Sequence, residues 1–121
     1  MIKMGTEKFL NKWEGHTFES SSITTEECKE FYKDFYKWLK EQLKGYNCEV
    51  ASFTKGHFFV SGFVLNKQSN KLAYFSISDL RDYNWNRILY RTAEHIKDFT
   101  GGSNNYCYLE NMAWNIVKIT T

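Results

Sequence analysis

Arg87 and Arg91 stand four residues apart in the run from Ile77 to Tyr106. Glu94, His95, Lys97 and Asp98 follow them, and Gly101, Gly102, Ser103, Asn104 and Asn105 close the stretch. Most polar groups able to carry chemistry or recognition sit here. On a helix, arginines at i, i+4 share one side and repel by about 0.2–0.5 kcal/mol unless something anionic neutralises them. Two readings stand side by side. The pair is an arginine clamp for a phosphate or carboxylate, or it is one side of a salt-bridged helix, neutralised by Glu94.

Asp98 would fall at the C-terminus of that helix, where the dipole disfavours a negative charge. Its carboxylate could pin the following turn by accepting backbone N–H groups. It could pair with Arg91, His95 or Arg81, or present itself to a ligand. Gly101-Gly102 reads either as a plain helix stop or as a backbone nest for an anion. No GxGxxG and no Walker lysine occurs, so no nucleotide motif is present. His16, His57 and His95 have no metal-ligand spacing, and no metal or cofactor is expected. A small enzyme would draw on His95 and Asp98 as acid–base groups and Arg91 as an anion holder. The Asp79 and Asp82 carboxylates read as turn and capping residues. Tyr83, Trp85, Tyr106 and Tyr108 bracket the polar stretch. Exposed beside the arginines, they would make a surface for stacking and cation–π contacts, suited to single-stranded nucleic acid or a protein partner.

The elements that must position these groups can be read from periodicity. Residues 6–13 predict a short helix, capped by Thr6, with Phe9, Leu10 and Trp13 on one face. Thr24-Thr25-Glu26-Glu27 is a capping box. It opens a helix to residue 44, with Phe31, Phe35, Trp38, Leu39 and Leu43 as its apolar stripe and Gly45 as its stop. Lys29, Lys33, Lys37, Lys40 and Lys44 read as part of its solvated side. Strands are expected at 47–54, 57–65 and 71–78. A tight turn at Lys55-Gly56 and a polar turn at 66–70 would join them. Gly62 inside the second run marks a bulge or close helix packing. Trp85, Ile88, Leu89, Thr92, Ala93 and Ile96 predict a helix over 85–98, capped by Asn84 or Asp82. Leu109, Met112, Ala113, Ile116 and Val117 predict a last helix. The expected fold is α+β: a three-stranded antiparallel meander with about four helices, in the order α-α-β-β-β-α-α.

Composition bounds the rest. The 121 residues predict one domain. They are 42% hydrophobic and 18% aromatic, which supports a compact core and argues against disorder. No apolar run reaches the roughly 18 residues of a membrane span, and the first residues lack an apolar signal core. Cys28, Cys48 and Cys107 are odd in number and far apart, with no CxxC, which predicts reduced thiols rather than a disulfide frame or zinc site. These points read together as a cytoplasmic protein. Residues 1–50 carry eight lysines against nine carboxylates, net −1; residues 51–121 carry eight Lys/Arg against five, net +3. That total is too weak to announce nucleic acid by charge alone, and it has the wrong sign for an acidic DNA mimic.

The run from Tyr74 to Tyr106 resembles a small domain associated with large polyvalent proteins on conjugative elements, plasmids and phages of low-GC Gram-positive bacteria. The residues that carry it are Asp79 to Arg81, Trp85, Arg91-Thr92-Ala93, and Lys97 to Gly102 with Asn104. The resemblance implies a mobile-element setting, in counter-defence or conjugation support, and brings no catalytic residue with it. The leading expectation is a non-enzymatic binding module for a protein or nucleic acid. Its face would draw on Arg81, Arg87, Arg91, His95, Lys97, Asp98, Gly101, Gly102, Asn104 and Asn105. The alternatives are an anti-defence inhibitor acting by direct contact and the small enzyme above.

Overall fold

The computed structural model describes residues 5–14, 16, 18, 26–56, 59–77, 79–81, 86–100 and 102–121. Helices α1 (Thr6–Trp13) and α2 (Glu26–Lys44) come first. Strands β1 (Cys48–Gly56), β2 (Phe59–Asn66), β3 (Lys71–Ile77), β4 (Arg87–Ala93) and β5 (Asn105–Tyr108) follow. A 3₁₀ turn (Leu109–Asn111) then leads into α3 (Met112–Ile119). The class is α+β, and the strands form one antiparallel meander in chain order.

One sheet face takes the helices. Val60, Val64, Ala73, Phe75, Ile77 and Ile88 lie on it, all at most 1% exposed. They meet Phe31, Phe35, Trp38, Leu39 and Leu43 of α2, the stripe expected from spacing. α1 adds Phe9 and Trp13, and Phe9 packs its ring against Phe31, Phe35 and Trp38. α3 adds Met112 and Ile116. The cluster is dominated by rings, which supply large buried area for a short chain.

Several local expectations change. The seven residues of β4 were expected within a helix over 85–98. They are a strand because Ile88 and Tyr90 reach the core on alternation while β3 and β5 satisfy both backbone edges. Tertiary pairing overrides a helical spacing that a short apolar run also fits. Residues 105–108, which lay outside the expected strands and helices, are the fifth strand. Among the described residues the meander therefore has five strands rather than three, and there are three α-helices rather than about four. The last helix stands, preceded by its 3₁₀ turn. Thr6 does not cap α1. Gly5 is the N-cap residue, and the Thr6 hydroxyl accepts the Trp38 indole N–H at 3.1 Å. After α2 the left-handed residue is Asn47 (φ 60°), not Gly45. Gly56 stays within β1, paired with Phe59, so the hairpin turn comes later than Lys55-Gly56. The expected caps at Thr24, Asp82 and Asn84, and Trp85, Tyr83, His57 and Gly101, lie outside the described residues.

Gly62 marks a close approach of neighbouring strands rather than of a helix, and the bulge lies opposite it in β1. The β1–β2 register shifts between Val50 and Ser52, a bulge that pushes the Ser52 carbonyl toward β2. A Cβ on Gly62 would sit 2.4 Å from that oxygen and 2.8 Å from the Phe75 ring.

Candidate functional site

Alternation along β4 puts Arg87, Leu89 and Arg91 on the sheet face away from the helices. Four residues of strand separate the two arginines by about 13 Å. They therefore do not form the i, i+4 helical clamp, and their fates differ.

Arg91 is 2% exposed. Its cross-strand partner is Tyr74, and the guanidinium lies over that ring, 4.6 Å from the centroid. Nη1 donates to the Thr92 carbonyl at 3.1 Å and Nη2 to the Asp98 carbonyl at 2.6 Å. The Asp98 carboxylate is 3.9 Å away. That carboxylate accepts the Glu94 backbone N–H at 2.9 Å, and the Asp98 N–H donates to the His95 carbonyl at 3.0 Å. Asp98 is thus not at a helix end. It ties a loop shut, and Asp98, rather than the expected Glu94, is the carboxylate beside Arg91. Phe99 seats that loop on the sheet, edge-on to Phe63 at 5.5 Å and Tyr74 at 5.9 Å. Gly102 leaves the loop at φ +76°, where a Cβ would sit 2.9 Å from the Thr92 carbonyl oxygen.

The other expected site residues scatter around this latch. Nδ1 of exposed His95 accepts the Lys97 N–H at 3.2 Å. Asn105 pairs with Tyr90 across β4–β5 and donates its side-chain amide to the Ser103 carbonyl at 3.1 Å. Asn104 is exposed. Arg81 forks onto Asp79, Nε to Oδ1 at 3.1 Å and Nη2 to Oδ2 at 3.0 Å, which raises its pKa further. It follows the far end of β3, away from the loop. The arrangement brings Arg91, Asp98, Gly102 and the 94–100 loop together. Arg81 and Arg87 stay apart from them.

Arg87 belongs to a different group. It lies in register with Tyr108, and its guanidinium is 5.3 Å from the centre of the Tyr106 ring. Tyr106 and Tyr108 are 54% and 59% exposed. With Cys107, Asn111 and Asn115 they line a cleft of about 400 Å³ at the β5 edge. Its floor is braced. The Tyr90 hydroxyl donates to Asn115 Oδ1 at 3.0 Å, and Asn115 Nδ2 donates to the Asn111 carbonyl at 2.8 Å. The Leu109 N–H reaches the Asn86 carbonyl at 2.7 Å. Trp114, 55% exposed, adds a further ring on α3, with Lys118 4.9 Å over it. Spacing missed this cleft. The available signals were Tyr106-x-Tyr108, a strand-like alternation, and the register of α3, which turns Trp114 away from buried Met112 and Ile116.

Cys107 faces the cleft from the helix side. Burial pushes its thiol up to about 11 from 9.0. It therefore stays protonated at neutral pH, and any stability this proton carries persists below pH 9 and is lost as pH rises toward 11. Alkylation of Cys107 by iodoacetamide at pH 8 is expected to run about 100-fold slower than for an unshifted thiol, the ratio two pKa units imply. Mass spectrometry of the native protein, timed at pH 8 and at pH 10.5, checks this; rapid modification at pH 8 would refute it.

All three cysteines are free. Among the described residues no three His, Cys, Asp or Glu groups gather as a metal site, and no helix is long and apolar enough to cross a membrane. No family model, curated protein or solved structure matches this chain.

Proposed function

We propose that this chain is a non-enzymatic binding module that docks a protein partner through the aromatic cleft at β5. The observation that carries the reading is Tyr106 and Tyr108, both more than half exposed, standing with Arg87 around a braced cleft. Tyr, Trp and Arg are the side chains that dominate protein-interface energetics, whereas Lys and Glu are depleted there. The cleft lining contains no Lys, Asp or Glu. A nucleic acid strand suits this patch less well, because Arg87 is the one cation among the cleft residues and tracking a phosphate backbone takes several. The Arg91 guanidinium, which an enzyme at this loop would use to hold an anion, is already committed to Asp98, Thr92 and Tyr74. In the setting that the resemblance implies, the module serves a mobile element, with a component of host defence or of the transfer machinery as its partner.

The test is a capture experiment followed by reconstitution. The intact protein and an Arg87→Ala/Tyr106→Ala/Tyr108→Ala variant serve as baits, each first shown to fold by circular dichroism. A partner recovered by the intact bait is purified and titrated calorimetrically. The triple variant is expected to bind at least about 30-fold more weakly, the loss of one hot spot of about 2 kcal/mol. Equal affinity of the two baits, or no partner under cross-linking, would sink this reading.

A further inference from the structure

The helix α2 sorts most of its charges into two stripes, with Glu26 at its start set among the lysines. At 100° per residue, Glu27, Glu30 and Asp34 run down one flank, and Lys29, Lys33, Lys37, Lys40 and Lys44 run down the other. The acidic flank is met from the α1 side. Lys12 reaches both Glu30 and Asp34 at 2.8 Å, and these two bonds raise its pKa, Asp34 more than Glu30. The Trp13 indole donates to Asp34 at 3.0 Å, and His16 meets Glu27 at 2.9 Å. The basic flank turns toward β1 and is matched at its start, where Lys29 lies 3.9 Å from exposed Glu26. Among the described residues, Lys33, Lys40 and Lys44 have no carboxylate within ion-pair distance, and neither do Lys55 and Lys67 beyond the strand.

Between that flank and β1 lie two adjoining grooves of about 560 and 520 Å³, joined through Tyr36 and Val50. Lys29, Lys33, Lys40, Lys44, Lys55 and Lys67 line them, against Glu41 and Glu49. Six lysines less two glutamates leave +4 along one track, when the whole chain carries +2. From Lys29 to Lys44 the track runs about 22 Å along the helix. A helix side kept wet only for solubility would intersperse the two signs evenly; here, Glu26 and Glu41 apart, they are sorted, and the excess of lysines faces a groove.

We infer that this groove binds the phosphodiester backbone of a nucleic acid, at a surface distinct from the aromatic cleft. Lysine ammonium groups act as point charges that neutralise successive phosphates and release their counterions. An acidic peptide added as a sixth strand is the competing occupant, and β1 is poorly built for it. The bulge between Val50 and Ser52 breaks the edge, and Lys55 guards its end. A phosphate backbone needs no strand pairing. Tyr36, under the Lys40 ammonium at 5.1 Å and packed on Phe53, gives the middle of the track a ring on which a base can rest.

The experiment is fluorescence polarisation with labelled mixed-sequence 20-mers, single-stranded in one arm and duplex in the other, from 50 to 200 mM salt. With about four lysines engaged, log K against log salt should slope at about −3.6 for duplex and about −2.8 for single strand. A Lys33→Ala/Lys40→Ala/Lys44→Ala variant should flatten the slope to about a quarter of that and lose at least about tenfold in affinity at 50 mM. A Lys8→Ala/Lys97→Ala/Lys118→Ala variant removes the same charge elsewhere and should lose less than about twofold. The Tyr106→Ala/Tyr108→Ala variant should bind as the parent does, so failure of the cleft reading and failure of this one are told apart. Four results overturn the inference: no binding of either 20-mer at 50 mM, an unchanged slope in the groove variant, an equal loss in the off-groove variant, or displacement by polyglutamate at matched charge. The last would give the groove to an acidic protein segment.

Discussion

Arg91→Ala is expected to lower stability by about 3 kcal/mol, the lower end for removing one partner of a buried ion pair. At about 2.1 cal/mol/K per residue for 121 residues, that is a fall of about 12 °C in Tm. The reason lies in what the guanidinium leaves behind. The Asp98 carboxylate, its side chain only 10% exposed, loses the Arg91 charge beside it, and the Thr92 and Asp98 carbonyls lose the guanidinium donor. Tyr74 loses the cation over its ring. The damage centres on the 94–100 loop, so trypsin should cut after Lys97 about tenfold faster in the variant than in the parent. Arg91→Lys keeps the charge but not the two-pronged donor, and should recover less than half of the loss. A melting curve within about 2 °C of the parent, with unchanged proteolysis, would show that the loop closes without Arg91.

Gly62→Ala is the second large effect. One methyl group must enter a space where a backbone carbonyl stands 2.4 Å away and the Phe75 ring 2.8 Å away. The Ser52 carbonyl cannot retreat without opening the β1 bulge, and Phe75 is fully buried between α2 and the sheet. Overpacking of this kind costs about 1–3 kcal/mol, and a clash on both sides puts the expected value at about 3 kcal/mol. Gly45→Ala is the control. Nothing lies within 4 Å of its Cβ and its φ is ordinary, so it should be neutral or gain up to about 1 kcal/mol. Thermal melts of the two variants decide it. A Gly62→Ala protein as stable as Gly45→Ala would mean the sheet relaxes around the bulge freely.

How far these features could be read from residue order depends on whether their causes are local. The α2 stripe at Phe31, Phe35, Trp38, Leu39 and Leu43 is a 19-residue periodic signal, long enough to exclude a strand. The first two hairpins were legible as successive apolar runs, the second from its polar turn at 66–70, while the first turn was placed too early at Lys55-Gly56. The segment Arg87–Ala93 was not, because seven residues rich in Ile, Leu and Tyr fit either period. The deciding partners, Tyr74 across one edge and Tyr106 across the other, are supplied by the fold. Reading it as a helix then misplaced the candidate site. Arg87 and Arg91 were joined when a strand parts them, and Asp98 looked anomalous when it closes a loop. The pairing of Asp98 with Arg91 was among the options that charge and proximity allow, and the geometry supports it. Tyr106 and Tyr108 were noticed as flanking aromatics, but their alternation across an edge strand shows only once β5 exists. The lysine stripe was visible throughout. The missing element was the opposite wall, since no spacing on α2 reveals that β1 runs beside it.

The chain-order meander also bears on how the molecule reaches this state. Every strand pairs with the strand next to it in sequence, so each hairpin can form by closing a short loop before any distant contact exists. The long closure comes at the end of the chain. Asn66 donates to the Thr120 hydroxyl at 3.3 Å, and Ser69 reaches the Thr120 carbonyl. These contacts span more than fifty residues and require β4, β5 and α3 to be in place. Contacts of such span are expected to form late in folding, where their strength sets how long the native state persists rather than how quickly it forms.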